Sequence, residues 1–231
     1  MAFATADFSL LTETAGTSPQ ALGLAMLRAD RHGCRLDSAS QWTAVSDALA
    51  DGAATAADLR KQFPTLTPEE IAGALGIAVE TTDDDPMVAS VWRFAEYRPR
   101  PPRIVLYSRG LAPLDDGLSS GATRFLGASA PRNIFLAHEL YHHAEAIRSE
   151  VPIAWRYQVT LLRISKWKWR TGIAALAEIA AGAFAQSLLD LPCHPRVLDF
   201  IAMYAIRTHH RCFMELTSTE DSRCPDMLQC P

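Results

Sequence analysis

Residues 132–147 read RNIFLAHELYHHAEAI, and the six positions HELYHH hold three of the chain's seven histidines beside an apolar run. This stretch constrains the fold more than any other, because its pattern has chemical meaning on a helix. His138-Glu139-Leu140-Tyr141-His142 is H-E-x-x-H, and residues i and i+4 of a helix lie nearly one above the other. Two imidazoles at that spacing can close on one Zn²⁺ at about 2.0–2.1 Å each. Glu139 is turned about 100° from His138. That is too far round to complete the same ligand face, yet close enough to take a proton from a zinc-activated water. Leu140 and the preceding IFLA supply a face that packs into a core. The bland alternative is a chance crowding of histidines on a buried helix.

A catalytic zinc needs a third protein ligand, and Glu178 is the candidate. It is an isolated carboxylate in IAALAEIAAGAFAQSLL, a helix otherwise built of small apolar residues. An ionised carboxylate buried there is costly unless paired or metal-bound. Ala181, Gly182 and Ala185 lie one and two turns along and let this helix approach the histidine helix closely, which gives a reason for a mid-helix glycine costing about 1 kcal/mol. The competing reading puts Glu178 on a solvent-facing stripe. His143, about 100° from His142, is expected beside the site rather than as a ligand.

The rest of the chain reads as α+β, mainly helical, with a small sheet of about three strands beside the H-E-x-x-H helix. Residues 18–62 read as short helices: Ser18-Pro19 starts one, and Ser38 and Ser40 can cap another that Gly52 follows. TPEE (67–70) is a capping box opening a helix. IAVET, SVWRFAEY and RIVLYS are β-branched and aromatic, and the last two flank the turn RPRPP as a hairpin. A glycine- and serine-rich loop follows to Pro131. Helices are then expected from about Asn133 to Ala146, over 152–168 as one or two, over 172–190, and from Arg196 to Glu215, with a loose tail from Thr217.

NIFLAHELYHH followed by EIAAGAFAQSLLDLP resembles the ImmA/IrrE-type zinc metallopeptidases, whose motifs read AHELGH and, downstream, E-x-x-A-[ND]-x-F-A-x-x-L-L before a proline. Glu178, Ala181, Phe184, Ala185, Leu188, Leu189 and Pro192 fit, the proline one place late. PEEIAGALGIAVE resembles the helix and strand that open the family's catalytic domain, so the likeness spans about residues 66–192. It implies a gluzincin-like site with His138, His142 and Glu178 as zinc ligands and Glu139 as catalytic base. It also implies a protein or peptide substrate, since the family's known substrates are often repressors that bind DNA. The organisation expected is an N-terminal helical region (1–62), a zincin-like metallopeptidase domain (63–215) and a loose tail (216–231). The chain departs from the family in three places. Tyr141 stands for a glycine and puts a bulky ring beside the metal, Gly182 stands for Asn or Asp, and 36 positions separate His142 from Glu178.

These readings define an expected zinc-dependent endopeptidase of restricted specificity, whose extended substrate pairs with an edge strand such as RIVLYS. The alternative is a non-catalytic metallopeptidase-like regulatory or binding module. The formal charge of −4 gives no general reason for a nucleic-acid or membrane partner, and no run approaches the length of a membrane-spanning helix. A helix-turn-helix at TPEEIAGALGI is disfavoured by the six acidic and two basic residues over 41–80. The N-terminus shows no signal-peptide pattern, and five cysteines without a C-x-x-C pair fit a reducing compartment, so a cytoplasmic protein is expected. Residues 148–170 carry six basic residues against one acidic residue, with Trp155, Trp167 and Trp169 interleaved. They form either a solvated helix face with tryptophans in the core or a docking surface for an acidic partner. Cys193, His194, His209, His210, Cys212, Cys224 and Cys230 match no closed zinc spacing and read as free groups. Tyr204, His209 and His210 are candidates by type alone for stabilising an oxyanion.

Overall fold

A computed structural model describes residues 16–88, 91–118 and 129–198. Among them the order is α1 (Pro19–Ala29), a 3-10 turn (Gly33–Arg35), α2 (Ser38–Gln62), α3 (Pro68–Ala74), β1 (Ala78–Thr82), β2 (Met87–Val88), β3 (Val91–Trp92), β4 (Ala95–Pro99), β5 (Pro102–Tyr107), α4 (Ser108–Leu118), α5 (Pro131–Ile147), α6 (Ile153–Arg156), β6 (Val159–Ile164), β7 (Trp167–Thr171) and α7 (Ala174–Leu188). The fold is α+β and mainly helical, as the sequence reads. Of the helix expected over 196–215, everything from residue 199 lies outside the described residues, as does the tail. No described helix is long and apolar enough to cross a membrane.

Local chemistry explains the first three helix starts. The Ser18 side chain accepts from the Ala21 N–H at 3.2 Å at the head of α1. Thr67 and Glu70 cap α3 reciprocally, with the Thr67 N–H donating to Glu70 at 2.8 Å. Asp37, rather than Ser38 or Ser40, caps α2 by accepting from the Ser40 N–H at 2.9 Å. A carboxylate at the N-cap also faces the positive end of the helix dipole. After α3 the chain turns at Gly76 (φ 71°) directly into β1.

The three-stranded sheet has the order β1-β5-β4, with β1 parallel and β4 antiparallel to β5. The expected β4–β5 hairpin is present. RIVLYS, however, is the middle strand and offers no edge to a substrate; β4 is an outer strand. SVWRFAEY breaks in two, because Val91–Trp92 pairs back onto Met87–Val88 before β4 begins. The glycine-rich loop after β5 starts as α4, a helix that buries Leu111 and Leu114.

The largest departure is at 152–168. Only Ile153–Arg156 is helical there, and β6 and β7 form an antiparallel hairpin. VTLLRISKWKWRT alternates apolar and basic residues about Ser165-Lys166, a period of two. Ser165 takes the left-handed conformation (φ 52°) that closes the two-residue turn.

One hydrophobic core joins α1, α2 and α3, the sheet, α5 and α7. The helices α2 and α7 run side by side, and Gly52 is part of that contact rather than a helix terminator. A side-chain carbon at residue 52 would lie 2.1 Å from the Ala180 carbonyl oxygen. Further along, the Arg60 guanidinium donates to the Leu188 carbonyl at the end of α7. Asp51, one residue before that glycine, ties three elements together. It accepts from the Tyr141 hydroxyl at 2.8 Å, from Arg148 at 3.0 Å and from Arg156 at 2.7 Å. Burial of Asp51 opposes ionisation, but the Arg148 and Tyr141 hydrogen bonds and the two guanidinium charges outweigh it and hold its pKa below 3.8.

Two outcomes follow. Gly→Ala in a helix ordinarily stabilises by about 0.5–1 kcal/mol; here Gly52→Ala should destabilise by about 1–3 kcal/mol, read as a lower midpoint in urea. Asp51→Asn should cost about 1.5–3 kcal/mol at neutral pH. Because the folded-state pKa is depressed, that difference should be complete above the ordinary carboxylate pKa and shrink as the pH falls below it. Denaturation of both proteins at pH 7 and pH 3 checks the sign.

Candidate metal centre

The helix α5 starts at Pro131, whose fixed φ suits a first helical position. It buries Ile134, Leu136, Ala137, Leu140 and Tyr141, which fixes its rotation and leaves His138 on the cleft, one turn after Ile134, with half-buried His142 one turn further on. Across the cleft, α7 buries Leu176, Ile179 and Ala180 and turns Glu178 toward the histidines. The three predicted residues meet. Ligand atoms of His138, His142 and Glu178 all lie within 4.8 Å of one another. The two histidine Nε2 atoms are 3.3 Å apart, His138 Nε2 is 3.2 Å from Glu178 Oε2, and His142 Nε2 is 3.6 Å from Glu178 Oε1.

These separations test the donor set. Tetrahedral legs of about 2.0–2.1 Å place ligand atoms about 3.3–3.4 Å from each other; the histidine pair and the His138–Glu178 Oε2 contact match that spacing, while His142 is paired with the other Glu178 oxygen. Two nitrogens and one carboxylate oxygen also fit a zinc site with one position left open. Burial, then the neighbouring His138 charge, push the His142 pKa down to about 4, so its lone pair is available at neutral pH. Partial desolvation against the cleft walls would raise Glu178, but the His138 hydrogen bond and the charges of His138, His142 and Arg196 prevail and hold it well below the usual carboxylate range. The expected burial of Glu178 is not found: its side chain is 52% exposed, open to the cleft. Its proximity to both imidazoles, and not a buried charge, marks it.

Glu139 is buried. It projects toward β4, where the Tyr97 backbone N–H bonds its carboxylate. Burial pushes its pKa up to about 7 against the opposing His138 charge and that hydrogen bond. His143 is no ligand: its Nδ1 lies 2.9 Å from the Tyr97 hydroxyl and pins α5 to the sheet. Tyr141, expected as a bulky ring beside the metal, packs edge-on against His142 at 5.9 Å between ring centroids but turns its hydroxyl into the core. It is fully buried, its hydroxyl goes to Asp51, and its ring packs on Phe184.

The cleft measures about 360 Å³ and is walled by His138 and Glu139 of α5, Glu178 and Gly182 of α7, the segment 91–95 and the segment 194–196. Two of its residues escape sequence reasoning. His194 is 4% exposed, its pKa lowered to about 4 by burial first and the His138 charge second, and its Nδ1 accepts from the Arg196 N–H at 3.2 Å. The signal for it was Gly182. A carbon there would lie 2.5 Å from the His194 ring, so this glycine admits an imidazole and does not serve a close approach of α5. Arg196 lines the same wall. Tyr204, His209 and His210 lie outside the described residues, as do Cys212, Cys224 and Cys230. Cys193 is buried and forms no disulfide among the described residues.

Comparison of the chain with protein-family models, with curated proteins and with solved structures returns no match. The geometry of the cleft therefore carries the functional argument.

Gly182→Ala should displace the His194 ring while leaving α7 intact, since alanine is the better helix former. A shifted His194 ring-proton resonance with unchanged helical circular dichroism is expected; an unmoved resonance would contradict this packing.

Proposed function

We propose that the chain is a zinc-dependent endopeptidase of restricted specificity, as its motifs' resemblance to the ImmA/IrrE-type metallopeptidases implies. The observation that carries the reading is the His138–His142–Glu178 triangle, whose ligand atoms all lie within 4.8 Å of one another, with a buried carboxylate on the adjoining residue. Zinc held by those three side chains supplies Lewis acidity, acidifying water and polarising a carbonyl.

The protein's own groups do the rest. Glu139, beside the triangle, takes the proton of the attacking water and returns it to the departing amine. The Tyr97 N–H holds the Glu139 carboxylate in place through that exchange. An extended peptide runs along β4, on the outside of the three-stranded sheet, in place of the middle strand RIVLYS. Arg196 brings positive charge to the far wall, where a developing oxyanion needs it. The resemblance to the metallopeptidase family points to a regulatory protein such as a DNA-binding repressor as the substrate. Cys34 and Cys193 form no disulfide among the described residues, which fits a cytoplasmic setting.

Purified protein should bind about one zinc per chain. Glu178→Ala should weaken that binding by more than the about 10–100-fold that loss of a mere supporting partner costs. Glu139→Gln should keep the zinc and lose hydrolysis of unfolded or repressor-like substrates. A wild-type protein that holds zinc but cleaves none of them would instead mark a non-catalytic binding module. Unchanged cleavage by Glu139→Gln would remove Glu139 as the base.

A further inference from the structure

The β6–β7 hairpin plays no part in the cleft, and its surface is unusual. It is a two-stranded ribbon whose base is fixed: Arg35 donates to the Thr160 carbonyl at 3.0 Å, and the Ile173 N–H donates to the Ala154 carbonyl at 2.7 Å. Beyond that base, large apolar side chains stand in solvent. Leu162 is 50% exposed, Ile164 63%, Trp167 75% and Trp169 69%. Leu162 pairs with Trp169 and Ile164 with Trp167. Side chains alternate faces along a strand, so these four share one face, and they line a shallow groove together with Lys168 and Arg170. Arg163 pairs with Lys168 at the alternate positions of the ribbon, and Lys166 sits in the turn. No acidic residue lies between 159 and 171.

We propose that this hairpin is a docking element for an anionic lipid surface, set in the headgroup layer with its apolar face toward the acyl chains. The register selects this partner. A single-stranded nucleic acid is held by a platform of aromatic rings beside cations, whereas half of this apolar face is aliphatic, Leu162 and Ile164. A protein docked in the groove would leave Arg163, which does not line it, unused. A ribbon sunk into a bilayer interface is surrounded: tryptophan and aliphatic side chains reach the acyl boundary while the basic side chains meet phosphates, the division seen in interfacial amphipathic helices. The aliphatic Leu162 and Ile164 add nothing to base stacking but partition into lipid. The sequence expectation of no membrane partner rested on net charge and on the lack of a spanning segment, and neither property registers a local amphipathic ribbon. The inference is independent of whether the cleft hydrolyses peptides.

The test mixes the full-length protein with vesicles of phosphatidylcholine alone and of equal parts phosphatidylcholine and phosphatidylglycerol, and measures co-sedimentation and tryptophan emission. Binding to the anionic vesicles with a blue shift is expected, weakening as salt rises. Trp167→Ser with Trp169→Ser should abolish both signals. Lys166→Gln with Lys168→Gln should weaken binding about fivefold for each charge removed, from ~1 kcal/mol per basic residue at such a surface. All these side chains are exposed, so wild-type circular dichroism and metal binding are expected in both variants; should the tryptophan variant misfold, the lysine variant and the emission shift still decide. No binding to anionic vesicles would overturn the proposal, as would equal binding to the uncharged ones. Binding of a single-stranded oligonucleotide in place of vesicles, lost on the same substitutions, would reassign the ribbon to nucleic acid.

Discussion

The carbonyl oxygen of Ala180 occupies the space that a side-chain carbon at residue 52 would need. Backbone against backbone, that contact sets how deeply α7 lies against α2. Glu178, two residues before Ala180 on α7, inherits its position from it. The Arg60 guanidinium at the Leu188 carbonyl and the apolar face of Leu176 and Ile179 hold the rest of the helix. On its other side α7 meets α5 through Phe184 and Tyr141, and Asp51 of α2 holds the same tyrosine by its hydroxyl. The ligand triangle is thus built on three helices whose mutual spacing is fixed by small residues and one buried carboxylate. A site that must hold its donors to within about half an ångström needs such support behind it.

The site was legible where its chemistry depends on spacing within one helix. H-E-x-x-H states its own geometry, since i and i+4 share a face, and the structure puts both imidazoles where that rule says. Glu178 was legible for a weaker reason, a charge among small apolar residues, and the reason itself was partly wrong: the carboxylate opens to the cleft and is not entombed. Gly52 and Gly182 show why the remainder was not readable. Each glycine signals that something comes close, but the partner is remote in the chain. Gly52 read as a helix end and proved to face Ala180, while Gly182 read as a contact between helices and proved to admit His194.

Secondary structure failed by the same logic at the segment 152–171. Apolar and basic residues alternate there with a period of two, but the stretch sits between two helices and is rich in charge, so a helical reading competed. The structure resolves the competition because the ribbon needs no core: its tryptophans are exposed, and the turn at Ser165 closes it locally. An exposed apolar face on an otherwise well-packed chain signals a surface that meets something, which is how a misread helix became the basis for a membrane-docking proposal.

The account turns on whether the triangle of His138, His142 and Glu178 closes on a metal. X-ray absorption at the zinc edge of the zinc-loaded protein tests that most directly, because it reads the ligand set without requiring a substrate. The account predicts a low-coordinate site with nitrogen and oxygen neighbours at about 2.0–2.1 Å, outer-shell scattering from two imidazoles, and no sulfur. A sulfur neighbour at about 2.3 Å, or a zinc that carries only one imidazole, would contradict it.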